Sequence, residues 1–146
     1  MSVFFDTNVL AYCTDTLAPK KQAIARALVA QTSVSGDAMV STQVLIELFS
    51  VLTRKQQMPS AQARALITAY TGWSVVPSDA ALVTAAIEKS VQHQLSIWDA
   101  MVIEAALRGG AHTLYTEDLT HGQRLDTLTI VNPFFRPDEL SLPSGA

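Results

Sequence analysis

Asp6 closes the apolar run VFFD, Glu47 interrupts VLIELFSVL, Asp99 opens WDAMVIEAAL and Asp118 closes LYTED. A carboxylate set among apolar residues carries a desolvation penalty of roughly several kcal/mol unless a cation or a hydrogen-bond network offsets it. Convergence of the four acids on one ion is the simplest common explanation. The ligands on offer are oxygens, because Cys13 stands alone and His93, His112 and His121 show no zinc spacing. An all-oxygen set suits Mg2+ or Mn2+, and the chain then reads as a metal-dependent enzyme.

Each acid has a plainer role open to it. Asp6, followed by Thr7 and Asn8, suits a helix N-cap or an Asx turn. Glu47 falls at the edge of an arc formed by Val44, Leu45, Leu48, Val51 and Leu52, where its stem could carry the charge to solvent or to Arg54. Asp99 stands three residues after Ser96, the spacing of a capping box, and an acid in a first helical turn is favoured by the macrodipole. Asp118 lies in a polar turn where Thr116 adds a hydroxyl and Glu117 a second carboxylate.

The elements that must position these residues alternate short apolar runs with longer helical patterns, the signature of βαβ units around a mostly parallel sheet. Strands are expected at SVFF, AMVS, WSVVP, HTLYT and LTIVN. Helices are expected over 7–13, 20–30, 43–55, 61–70, 79–93 and 98–108, punctuated by Pro19, Pro59 and Pro77 before helical stretches and by Gly109-Gly110 after one. The fold class is α/β, a single domain over 1–136 with about five strands, and 137–146 reads as a loose tail. Asp6 and Asp118 then emerge at strand ends, where open parallel sheets form their ligand sites.

With 146 residues, 49% hydrophobic and 16% charged, the chain has ample material for one core. The net charge of −3 argues against a broad basic face for nucleic acid, although a carboxylate site for a cation lowers the net charge by design. One cysteine fits a reducing compartment, the first residues lack the basic region of a signal peptide, and nothing approaches the roughly 20 apolar residues of a membrane span. The cytoplasm is the expected location.

DTNVL at 6–10, VLIELFSVL around Glu47, IWDAMVIEAAL from Ile97 and LYTEDLTHGQRLDTLTIVNPF from Leu114 together resemble PIN-domain ribonucleases, especially VapC-type toxins of bacterial toxin–antitoxin pairs. The resemblance implies a five-stranded parallel sheet flanked by helices, and acids that bind Mg2+ or Mn2+ and hydrolyse RNA to leave a 5′-phosphate. By position it implies Asp6, Glu47, Asp99 and Asp118 as catalytic acids, with Asn8 and Thr116 as supporting polar residues. Asp6, Asp99 and Asp118 are expected on the metal, and Glu47 as the group that orients water or accepts its proton. Glu117, adjoining Asp118, could share its role.

RNA must be led to an acidic site by cations on the rim; Lys20, Lys21, Arg26, Arg54, Lys55 and Arg124 are available, and Arg54 with Lys55 is the favoured pair. The resemblance also implies a homodimer and a cognate antitoxin, for which Leu45, Phe49, Leu52, Leu66 and Tyr70 are apolar candidates unless they fill the protein's own core. Two rival readings stand beside it. One is a haloacid-dehalogenase-type phosphohydrolase, which usually carries a second Asp where this chain has Asn8. The other is a catalytically silent module that binds RNA or protein with the same fold.

Overall fold

The structure, a computed structural model, describes residues 1–137. From position 138 on, the expected tail lies outside the described residues. Among the described residues are six α-helices and a six-stranded sheet. The elements are β1 (Val3–Phe5), α1 (Thr7–Tyr12), α2 (Pro19–Ser35), β2 (Ala38–Ser41), α3 (Thr42–Ser50), α4 (Ser60–Tyr70), β3 (Ser74–Val76), α5 (Ala80–His93), α6 (Ile97–Arg108), β4 (Thr113–Tyr115), β5 (Arg124–Leu125) and β6 (Leu128–Val131), with a π-helical turn, Val51–Lys55, continuing α3.

The sheet order is β3-β2-β1-β4-β6-β5. The five expected strands are all present and parallel, with Phe4 opposite Met39 on one side and Leu114 on the other. A sixth strand was not expected. β5 pairs antiparallel with β6 through Leu125 opposite Leu128, and Asp126 turns the chain with φ 54°. Two residues of strand with a loop lacking Asn-Gly or Asp-Gly leave almost no pattern to read.

β1 and β2 are buried at every position, as strands covered on both faces must be. The chain steps outward from β1 to β2 to β3, then returns across β1 to β4. Right-handed crossovers therefore set α1 to α4 on one face and α5 with α6 on the other. Contacts of α1 with α2 and α3, of α3 with α4, and of α5 with α6 follow that division. The reversal between β1 and β4 opens a crevice at the carboxyl end of the sheet, where doubly wound proteins bind their ligands.

The core runs through Phe4, Phe5, Leu10, Val40, Leu48, Leu52, Leu82, Ile103, Leu114 and Ile130, all fully buried. Leu45, Leu52 and Tyr70 belong to it and Leu66 packs against it, whereas Phe49 is exposed beside the exposed Ile46. α2 runs five residues beyond the expected end and stops at Gly36, whose φ of 76° is a left-handed cap. No helix among the described residues is long and apolar enough to cross a membrane.

Candidate active site

Asp6 leaves β1 and caps α1, accepting the Thr7 N–H at Oδ1 over 2.7 Å. Its other oxygen accepts the Thr116 hydroxyl over 2.8 Å and the Asn8 amide over 3.4 Å. The cap reading of Asp6 thus holds, and the same side chain also ties β1 to the end of β4. β4, adjacent to β1 and in register with it, delivers Thr116 to the same strand-end level, and the Asp6 N–H donates to the Tyr115 carbonyl across the gap.

Thr116 is fully buried and its hydroxyl is saturated. It donates to Asp6 and accepts from the Asn8 amide at 3.3 Å and the Asp118 N–H at 3.1 Å, which uses the one hydrogen and both lone pairs. The Asn8 amide also donates to Asp118 Oδ2 at 2.9 Å, while its carbonyl accepts the Glu117 N–H at 3.3 Å. Asn8 and Thr116, named on resemblance alone or as a possible ligand, are here the bolts between two strand ends.

Glu47 comes from α3, which begins directly at β2 with Ser41 as its cap. The carboxylate is half-buried and accepts from Thr7 Oγ1 at 3.0 Å and Gln43 Nε2 at 2.7 Å. Its partners are neutral donors rather than Arg54. Asp99 stands in the first turn of α6, half-buried, with its N–H on the Ser96 hydroxyl at 3.1 Å. The helix cap expected at Ser96 is therefore real. Its neighbour Trp98 is 65% exposed, while Met101 and Val102 on the same helix are buried.

Asp6 is only 6% exposed. Burial pushes its pKa up to about 6 against the hydrogen bonds from Thr116 and Thr7, and the charges of Asp118 and Glu47 push the same way. Asp99 is raised as well, first by burial and then by Asp118 and Glu47, with the Ser96 hydroxyl opposing. The four acids therefore share one electrostatic neighbourhood. Among the described residues, however, no three His, Cys, Asp or Glu side chains form a ready-made ligand cluster. The group is an oxygen-rich, negatively charged set held by hydrogen bonds rather than a closed chelate, and hard divalent cations fit such donors.

Glu117 is paired elsewhere. It accepts the Tyr12 hydroxyl at 2.6 Å and the Lys21 ammonium at 2.9 Å, while Lys21 also lies over the Tyr12 and Phe134 rings. Burial and the Glu117 carboxylate keep the Tyr12 phenol above its ordinary pKa, and Glu117 raises that of Lys21. Sequence reasoning left Glu117 as a possible double of Asp118; the structure spends it on a latch, which no spacing rule reveals. Arg26 is likewise engaged, donating to the Cys13 carbonyl at 2.7 Å.

A cleft of about 780 Å³ opens over Asp6, Asn8, Glu47, Glu117 and Asp118 and extends past Tyr12 to Lys55 and Met58. Of the favoured cation pair, Lys55 lines it and Arg54 is not among its lining residues. The π turn, closed by Gln56 N–H to the Val51 carbonyl at 3.1 Å, takes these positions off the phase of a regular helix. Asp99 does not line the cleft either.

The chain matches the model of the PIN domain over residues 3–123. The toxin VapC20 of Mycobacterium tuberculosis, which cleaves the sarcin-ricin loop, superposes with a TM-score of 0.66 at 28% identity, covering 80% of this chain and 90% of that one. A toxin–antitoxin complex from Klebsiella pneumoniae aligns with a TM-score of 0.62 at 14% identity over 91% of this chain and 98% of that one. VapBC2 of Rickettsia felis, solved with a DNA fragment from its promoter, gives 0.60 at 16% identity, covering 89% and 97%. No curated protein matches the sequence. A match that runs from β1 through the turn after β4, together with the acids gathered at the β1/β4 crevice, makes this chain a member of the PIN-domain family, a family of nucleases that typically act on RNA.

Proposed function

We propose that the chain is an Mg2+- or Mn2+-dependent endoribonuclease and the toxin of a type II toxin–antitoxin pair, working in the cytoplasm. The observation that carries this reading is Asp6, a buried carboxylate at the switch point of the sheet whose pKa is pushed up to about 6 by burial and by its acidic neighbours. A negative group so poorly solvated is a strong attractor for a divalent cation. Asp6, Asp99 and Asp118 hold the ion in this reading, and Glu47 is the proton acceptor. A divalent cation held there would supply an activated water and stabilise charge on the scissile phosphate.

The remaining work falls to the chain's own groups. Asn8 and Thr116 keep the carboxylates of Asp6 and Asp118 aimed together across the crevice. Thr7 and Gln43 each donate to one oxygen of Glu47, which orients its free lone pairs. Lys55, exposed on the cleft wall, meets the phosphate chain of single-stranded RNA, the form whose segments can be splayed into a site.

The toxin assignment is supported by likeness to VapC20 and to the two complexes solved with toxin and antitoxin names. A homodimer and an antitoxin contact have candidate surfaces in the exposed Ile46 and Phe49 of α3, Val83, Ile87 and Val91 of α5, and Trp98 of α6. The decisive experiment incubates the purified chain with RNA in Mn2+, in EDTA, and as Asp6→Asn or Asp99→Asn. Cleavage should require the ion and both acids; cleavage that survives EDTA or either substitution removes the proposal.

A further inference from the structure

Asn132, the first residue after β6, fastens three parts of the chain at the carboxyl end of the sheet. Its N–H donates to His121 Nδ1 at 3.1 Å. Its side-chain carbonyl accepts the Phe134 N–H at 2.9 Å and its backbone carbonyl the Phe135 N–H at 3.0 Å, which bends the chain back on itself. The bend sends the two phenylalanines to different partners. Phe134 meets Tyr12 edge-on with centroids 5.0 Å apart, and Tyr12 lines the cleft. Phe135 lies flat against the His121 ring, with 4.1 Å between centroids and 12° between planes.

One peptide group ties this stack to the acids. The Val131 carbonyl accepts the Thr116 N–H at 3.1 Å, and the N–H of that same peptide, on Asn132, is the one that holds His121. Thr116 N and His121 Nδ1 are therefore two hydrogen bonds and one peptide group apart, about 9 Å at most. Thr116 in turn donates to Asp6. Because the C=O and N–H of a trans peptide point opposite ways, His121 sits one strand out from Thr116, on the β5 side of β6. The loop that carries it is pinned there, Gly122 N–H to the Ile130 carbonyl and Ile130 N–H to the Gln123 carbonyl, both at 2.8 Å.

The stack is not spent on the core. Phe134 packs against the core and Phe135 does not, and His121 is exposed. With Phe135 on one face of the imidazole and the Asn132 N–H on Nδ1, the surface left to solvent is the opposite face and the Nε2 edge. Every base has a flat π-face that stacks on an aromatic ring whatever its identity, and rings fixed in advance lose little entropy when they bind. A stack also recruits RNA without positive charge. That suits a chain of net charge −3 whose Lys21 and Arg26 are already engaged. We propose that the His121–Phe135 stack is a platform on which an unpaired base, flanking the phosphate at the acids, lies face to face with the imidazole. This inference rests on the nuclease reading and adds to it the place of the flanking nucleotide.

Short single-stranded RNAs carrying 2-aminopurine at one position at a time, titrated with the full chain in Ca2+ buffer, locate the stack, because the fluorescence of this base falls when it stacks. A gel confirms that the oligomers stay intact. Wild type should quench the probe at one position, and His121→Ala should abolish that quenching and weaken binding of the unlabelled oligomer by about 5- to 150-fold, the span of one base–aromatic stack. An abasic residue at the same position should weaken wild type by the same factor and His121→Ala no further. His121→Phe, which keeps a flat ring, should restore both quenching and affinity, which a merely structural role of the imidazole would not.

Quenching at no position, quenching that survives His121→Ala, or a further loss when the abasic oligomer meets His121→Ala overturns the platform. Cleavage in Mn2+ is scored separately. A chain that stacks the base without cutting keeps the platform and loses the nuclease reading, and one that cuts without stacking does the reverse.

Discussion

The Thr116 hydroxyl donates to Asp6 Oδ2 over 2.8 Å, joining residues 110 positions apart across neighbouring parallel strands. Together with the Thr7 N–H it stabilises the charged form of this buried carboxylate directly, against the burial that raises its pKa. Thr116→Val removes the donor and also orphans the Asp118 N–H and part of the Asn8 amide. We expect a loss of about 1–3 kcal/mol in denaturant unfolding and an Asp6 pKa above its present value, moving the acid limb of the cleavage profile to higher pH. Thr116→Ser should restore both, and a profile unmoved by the valine variant would show that the hydroxyl does not govern Asp6.

Asp6 makes stability depend on pH with a definite sign. Its folded pKa, about 6 against an ordinary 3.8, means the folded state holds the proton more tightly, so metal-free protein loses stability as pH rises from about 4 to 6. Asp6→Asn should flatten that slope and stabilise the chelated protein at pH 7.5 by about 1–3 kcal/mol. Urea titrations in EDTA at pH 4.5 and 7.5 read it, and a wild-type chain more stable at the higher pH would contradict the assignment of that slope to Asp6.

Mn2+ should raise the melting temperature of wild type and do so with less effect as pH falls below about 6, because a proton on Asp6 competes with the ion. Asp99→Asn and Asp118→Asn should each shrink the shift at pH 7.5. A shift that persists undiminished in both variants would put the ion elsewhere.

The latch of Tyr12, Lys21 and Glu117 predicts a different outcome from the acids. Glu117→Gln and Lys21→Met break a partly exposed ion pair, worth about 0–1 kcal/mol, and loosen the turn that presents Asp118. Cleavage should fall by about tenfold or less while the Mn2+ thermal shift remains. Asp118→Asn, by contrast, should lose both. Loss of the Mn2+ shift on Glu117→Gln would return Glu117 to the metal.

Much of this protein was legible along the chain because the relevant signals are local. Apolar runs such as VFF and AMVS, buried on every side, announce parallel strands, and an acid directly after such a run must emerge at its end. The caps at Asp6 and Ser96 followed from residue type and position, whereas the electrostatic neighbourhood of Asp6, Glu47, Asp99 and Asp118 depends on the strand order that brings their elements together. Nor were the two-residue strand β5, the π turn and the fate of Glu117 legible. Glu117 and Asp118 are adjacent acids in one turn, and only the arrival of Lys21 and Tyr12 beside one and Asn8 beside the other divides their roles. Residue type and periodicity decide which face of an element is apolar and where it stops; which partner a polar side chain meets is decided by the order of strands, because that order alone sets which distant ends come within a hydrogen bond of each other.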